Sequence, residues 1–248
     1  EEPKYPEGLP YNAEEITFYN DGNTFAGTLT YPLTGDKFPV VVMITGSGPQ
    51  NRDEEIFGFK IFKIIADHLT KNGIAVLRYD DRGVGGSKGK TTSESTTADF
   101  AGDVTAAVEY LKTRSNIDPS KIGLMGHSEG GIVAPLVASK TGGIAFIVLM
   151  AGTGVKGIDI IKEQSKLIMK AENATDKDIE GYIMMIDLIY ETLQKDGDMK
   201  DLEKQLEENV EASFDKMTPE EKKTIKDKDA YIKETAQTTI KQFSSKWM

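Results

Sequence analysis

Six short apolar runs constrain the fold of this 248-residue chain more than any other feature. They are Ile16–Tyr19, Phe25–Tyr31, Val40–Thr45, Ala75–Tyr79, Ile122–Met125 and Phe146–Met150. The first two carry more polar residues and flank Asn20-Asp21-Gly22-Asn23, a pattern that predicts an antiparallel hairpin. The later runs are nearly all apolar, as strands covered on both faces must be. Between them, Phe59, Phe62, Ala66 and Leu69 recur at helical spacing and stop at Asn72-Gly73. Phe100, Val104, Val108 and Leu111 form a second stripe. Alternation of this kind predicts right-handed crossovers and an α/β domain with a mostly parallel sheet, helices on both faces.

The texture changes after Gly157. Glycine thins out, charge becomes denser and no strand-like run follows. Stripes such as Ile183, Ile186, Tyr190 and Leu193, then Leu202, Leu206, Val210 and Phe214, then Ile232, Ala236, Ile240, Phe243 and Trp247 predict four or five helices. Thr218-Pro219-Glu220-Glu221 reads as an N-cap, a proline at the first helical position and a capping-box glutamate. The predicted organisation is a core over 1–155, a helical segment over 156–243, and 244–248 as the start of a return to the core.

Composition removes several functional classes. With no cysteine, the chain has no disulfide, no thiol nucleophile and no cysteine metal site. Its two histidines form no cluster with zinc-ligand spacing. A net charge of −10 argues against nucleic acid and anionic membranes as partners. No apolar run approaches the roughly 20 residues that span a bilayer. Gly85-Gly86-Ser87-Lys88-Gly89-Lys90-Thr91 nearly ends as a phosphate-binding loop, but Val84 stands where that pattern needs glycine. Gly46-x-Gly48 lacks the third glycine of a dinucleotide turn, since Asn51 holds its place. The chain begins at Glu1, which fits the removal of a preceding segment; export to the periplasm or beyond is expected, with the cytoplasm as the alternative.

The chemistry-bearing run is Gly126-His127-Ser128-Glu129-Gly130. It follows an apolar strand and precedes a small-residue helix, the context of a nucleophile elbow. Gly126 and Gly130 leave room for strand and helix to approach, and the Glu129 amide sits at a helix N-terminus where an oxyanion would form. A second Gly-rich loop, Gly46-Ser47-Gly48-Pro49-Gln50, follows the third apolar run and can bring backbone amides to a ligand. Asp80-Asp81-Arg82-Gly83-Val84-Gly85-Gly86-Ser87 reads as a structured turn.

Together, Thr45–Asp53 (TGSGPQNRD), Asp80–Ser87 (DDRGVGGS) and Gly126–Gly131 (GHSEGG) resemble the bacterial serine esterases of the α/β-hydrolase fold. The resemblance covers about residues 12–155, and the charged helical segment lies where such enzymes insert a cap. It implies Ser128 as nucleophile, the amides of Glu129 and Ser47 as oxyanion hole, a small ester substrate, and no metal or organic cofactor. Met169, Met184, Met185 and Met199 are candidates for an adaptable lining beneath a cap, or for core packing.

In that superfamily an acid and then a histidine follow the cap. Here His127 precedes the serine and reads as a packing residue, while His68 reads as a solvent-facing helix residue. The expectation is therefore a truncated portion of a longer enzyme, lacking C-terminal strands and nearly inactive by itself. Its open sheet edge beside Phe146–Met150 invites dimerisation or strand exchange. The alternative is a complete, non-catalytic binding protein on the same scaffold. Within enzymes, a thioesterase, lactone hydrolase or peptidase would share the constellation.

Overall fold

The computed structural model describes residues 8–195 and 197–243. They divide into two compact units, one ending at Gly154 and the other beginning at Val155. Ser244–Met248, expected to begin a return to the core, and Trp247 of the last apolar stripe lie outside the described residues.

The first unit opens with β1 (Asn12–Asn20) and β2 (Asn23–Tyr31), antiparallel in a register that pairs Asn20 with Asn23. The two-residue turn between them is Asp21-Gly22, at φ 46° and 75°. Positive φ at both positions gives the twist that a tight hairpin needs. Next come β3 (Phe38–Ile44), a small hairpin of β4 (Glu55–Ile56) and β5 (Phe59–Lys60), α1 (Ile61–Lys71) and β6 (Ala75–Tyr79). The chain continues through α2 (Thr97–Lys112), β7 (Ile117–His127), α3 (Gly130–Lys140) and β8 (Ile144–Met150). The six-stranded sheet has the order β1-β2-β6-β3-β7-β8. In this sheet β3 runs parallel to β6 and β7, and β7 parallel to β8, while β1–β2 and β2–β6 are antiparallel.

Alternation along β3 divides the core. Val40, Val42 and Ile44 join a cluster with Val104 and Val108 of α2 and Val133 and Val137 of α3. Val41 and Met43 turn the other way, toward Phe62 and Ala66 of α1. A period of two along a central strand therefore places helices on both faces of the sheet. α2 is fastened at its start by a capping box: Thr96 Oγ1 accepts the Asp99 amide, and the Asp99 carboxylate accepts the Thr96 amide.

Three expectations need correction. Phe59 belongs to the β4–β5 hairpin and is exposed, so α1 begins only at Ile61. The run Ile122–Met125 is the middle of a longer strand that starts at Ile117 with a register shift and carries Gly126 and His127 as its last residues. β8 is apolar but not covered, with Phe146, Ile147, Val148 and Leu149 each at least 37% exposed.

The second unit is helical. It comprises α4 (Gly157–Ala171), α5 (Asp176–Gln194), α6 (Met199–Lys216), the short α7 (Pro219–Lys223) and α8 (Lys228–Phe243). Its core gathers Ile186 and Ile189 of α5, Leu202 and Leu206 of α6 and Ala236 of α8. Met185 packs against that core, whereas Met184 and Met199 are exposed. The N-caps of α5 and α6 are Thr175, which accepts the Asp178 amide, and Asp198, which accepts those of Lys200 and Asp201. Among the described residues, no helix is long and apolar enough to cross a membrane.

Candidate active site

Three loops leave the C-terminal ends of the parallel strands β3, β6 and β7, the place where open α/β sheets hold their ligands. Ser128 occupies the turn between β7 and α3 at φ 51°. Left-handed backbone is rare for a residue with a side chain, and such strain concentrates at functional sites. The turn is held on both sides. The Ser128 amide donates to the Met150 carbonyl at 2.9 Å, and the Gly131 amide to the Ser128 carbonyl at 2.9 Å.

Glycines make the turn physically possible. A methyl group on Gly126 would lie 1.9 Å from the Gly130 carbonyl oxygen. One on Gly130 would lie 2.3 Å from the Ile44 carbonyl oxygen, and one on Gly131 would lie 2.5 Å from Gly152 Cα. Backbone thus meets backbone at all three positions, and no side-chain adjustment relieves the contact. Pro135 sits inside α3, a helix whose small residues still pack closely on β7 and β3.

The loop after β3 lies against this turn. A Cβ on Gly46 would stand 3.2 Å from Ser128 Cβ, 3.3 Å from Glu54 Oε1 and 3.3 Å from His127 Nδ1. Ser47 is exposed on the same loop. Glu129 directly precedes α3 in helical conformation, and its buried side chain accepts a hydrogen bond from Thr97 Oγ1 at 2.8 Å.

The TGSGPQNRD segment is shaped by the aspartates after β6. Asp81 accepts Thr45 Oγ1 at 2.7 Å and the Gln50 amide at 2.9 Å. Asp80 accepts the Arg52 amide, the Arg52 guanidinium and the Gly86 amide. Burial works against the Asp80 carboxylate, but Arg52 and the two amides hold its pKa below the ordinary value. Asp53 pairs with Arg78 of β6, and Arg82 with Asp103 of α2 in a fully buried salt bridge. The Asp80–Ser87 run is therefore a structured turn whose two aspartates also build the neighbouring loop.

Asp81 differs electrostatically from Asp80. Burial, with the nearby Glu54 and Glu129, pushes its pKa up to about 7 despite the bonds from Thr45 and Gln50. A recess of about 370 Å³, counting space open to solvent, adjoins this cluster. Phe25, Thr45, Gly46, Asp81, Phe100 and Glu129 contribute to its walls.

His127 is not a packing residue. Its Nδ1 lies 2.8 Å from Glu54 Oε1, an oxygen that also accepts the Gly46 amide at 2.7 Å. Glu54 is buried at φ 47°, and sequence reasoning missed it. It is 73 positions from its histidine, and positive φ at a glutamate leaves no local sequence signal. Its one sequence cue is its place directly after the Thr45–Asp53 motif. His68 is an exposed residue near the end of α1. Among the described residues, no group of three or more His, Asp or Glu side chains is placed to hold a metal ion.

A strand-turn-helix serine beside a glycine-rich loop, on a mostly parallel sheet with helices on both faces, defines the α/β-hydrolase class. The α/β hydrolase GrgF from Penicillium sp. sh18 superposes with TM-score 0.51 at 26% identity, covering 66% of this chain and 53% of that one. The chain belongs to the Hydrolase_4 family, described as serine aminopeptidase, S33, which matches residues 59–193. Esterase EstD of Thermotoga maritima is 36% identical over 147 residues, 58% of this chain and 34% of that protein. Thiohydrolase apmlB of Arthrinium phaeospermum is 34% identical over 105 residues, 41% of this chain and 31% of that protein. The chain thus spans about a third of the length of these curated relatives.

Proposed function

We propose that Ser128 is the nucleophile of a carboxylic ester hydrolase. Its Oγ attacks the ester carbonyl carbon and passes its proton to a general base. The carbonyl electrons move to the oxygen, which the amides of Ser47 and Glu129 receive. Collapse expels the alcohol, protonated by the same base, and leaves an acyl-enzyme that water hydrolyses. The observation that carries this reading is Ser128 at φ 51° on the β7–α3 turn, with Gly46 packed beside it.

Neither histidine of this chain is offered as the base. His127 meets Glu54 through Nδ1, but among the described residues no hydrogen bond joins its ring to the Ser128 hydroxyl, and His68 is exposed on α1. The base and its orienting acid are assigned to parts of the protein that these residues do not include. The same acyl-enzyme serves thioesters, and the match to a relative named thiohydrolase favours them as the second substrate class.

The test uses the protein as its gene encodes it. A fluorophosphonate probe should label Ser128, located by peptide mass spectrometry, and Ser128→Ala should abolish labelling and lower ester turnover at least ~10⁴-fold. Labelling that survives Ser128→Ala would remove Ser128 from the mechanism.

A further inference from the structure

Glu54 has an arrangement that stability alone does not account for. It is 1% exposed, its backbone is left-handed, and its Oε2 is buried with no hydrogen-bond partner. Each of these features costs free energy. In return a single oxygen, Oε1, takes the Gly46 amide at 2.7 Å and His127 Nδ1 at 2.8 Å. Those two contacts belong to different chain segments. Gly46 directly precedes Ser47, and His127 directly precedes Ser128 and Glu129.

The position of Glu54 is itself fixed. Its amide donates to the Asn51 carbonyl at 2.9 Å, closing the turn that follows Gln50. Arg52 and Asp53, the residues before it, are anchored on Asp80 and Arg78. The carboxylate therefore approaches Gly46 and His127 from a turn tied to the end of β6, the third strand at the site. Gly46 has no side chain to displace it: a Cβ there would stand 3.3 Å from Oε1.

We propose that Glu54 is a positioning residue for the oxyanion hole. By holding both segments from one oxygen, it sets the spacing between the Ser47 amide on one arm and the Glu129 amide on the other. Oxyanion stabilisation depends on both donors standing about 3 Å from one developing charge, so a small change in separation weakens both bonds. This inference rests on the roles proposed above for Ser128, Ser47 and Glu129.

The two properties of the carboxylate, reach and charge, can be separated by substitution. Glu54→Gln keeps the reach and one acceptor oxygen but loses the charge. Glu54→Asp keeps the charge but is one methylene too short to meet both partners. Glu54→Ala loses both. The readout is fluorophosphonate labelling of Ser128 in the protein as its gene encodes it, resolved into initial probe affinity and the rate of covalent capture. Each variant is assayed below its own melting temperature.

Glu54→Asp and Glu54→Ala should slow covalent capture about 100-fold with little change in initial affinity. Glu54→Gln should stay within roughly tenfold of wild type. A role limited to buried charge would reverse the order of Asp and Gln, and that order overturns the proposal. Wild-type capture by Glu54→Asp or Glu54→Ala also overturns it, while Ser128→Ala remains unlabelled. If Glu54→Ala does not fold, the Asp and Gln pair decides alone. Labelling that survives Ser128→Ala defeats the nucleophile assignment itself, an outcome separate from any result at Glu54.

Discussion

The sheet unit and the helical unit bury different things. In the sheet unit Glu54, Arg78, Asp80, Arg82 and Asp103 are buried, and each is tied into the loops above the strand ends. In the helical unit the core is Ile186, Ile189, Leu202, Leu206 and Ala236, and pairs such as Lys195–Glu191 and Lys204–Glu208 are well exposed. Burying charge costs solvation, which ion pairs and hydrogen bonds offset here, leaving Glu54 Oε2 and Arg78 Nε without a partner among these side chains. The sheet unit spends that cost around one turn, at Ser128. The helical unit shows ordinary amphipathic packing. Position of the buried polar groups therefore separates the strand-end loops around Ser128 from the rest more sharply than charge content, which is denser in the helical segment.

The two units differ most severely in what their glycines meet. Gly130→Ala would press a methyl group against the Ile44 and Thr45 carbonyl oxygens, at 2.3 and 2.7 Å. The expected loss exceeds about 3 kcal/mol in urea unfolding, or the protein fails to fold. A near-neutral Gly130→Ala would show that β3 and α3 do not approach so closely.

An effect of intermediate size is expected at Asp81. Its folded pKa of about 7 lies above the ordinary 3.8, so the native state favours its protonated form. The stability it contributes is complete below about pH 4 and is lost as pH rises through about 7. Solvent reaches part of the side chain, so the expected loss is on the order of 1–2 kcal/mol. Asp81→Asn should flatten this part of the stability curve, measured by urea unfolding at several pH values. An unchanged slope would place Asp81 in a more polar setting than its neighbours Glu54 and Glu129 imply.

The smallest effect belongs to the other unit. Gly181 lies inside α5, with nothing within 4 Å of an added methyl group. Gly181→Ala should stabilise the helical unit by about 0.5–1 kcal/mol, read by circular dichroism during unfolding. The same substitution thus carries opposite signs in the two units, because one glycine meets backbone and the other meets open space.

Much of this contrast was legible in the residues. β-branched runs located β2, β3, β6 and β8, and 3.6-residue stripes located α2, α5, α6 and α8, since burial of one face imposes those periods. The β4–β5 hairpin was hidden because its strands are two residues long and Phe59 imitates a helix position. The tight β7–α3 turn at Ser128 was readable from its glycines, whose spacing reflects a local steric need. Glu54 was not, because its value lies in partners 8 and 73 positions away. The exposure of β8 agrees with the open sheet edge expected beside Phe146–Met150, because no later strand-like run follows it in the sequence.

The proposed role of Ser128 is to present a substrate carbonyl to the amides of Ser47 and Glu129. A crystal structure of the phosphonylated protein tests it directly. Phosphorus should be bonded to Ser128 Oγ, with one phosphonyl oxygen about 2.7–3.1 Å from both amide nitrogens. A phosphonyl oxygen turned away from both amides, or phosphorus on another residue, would contradict it.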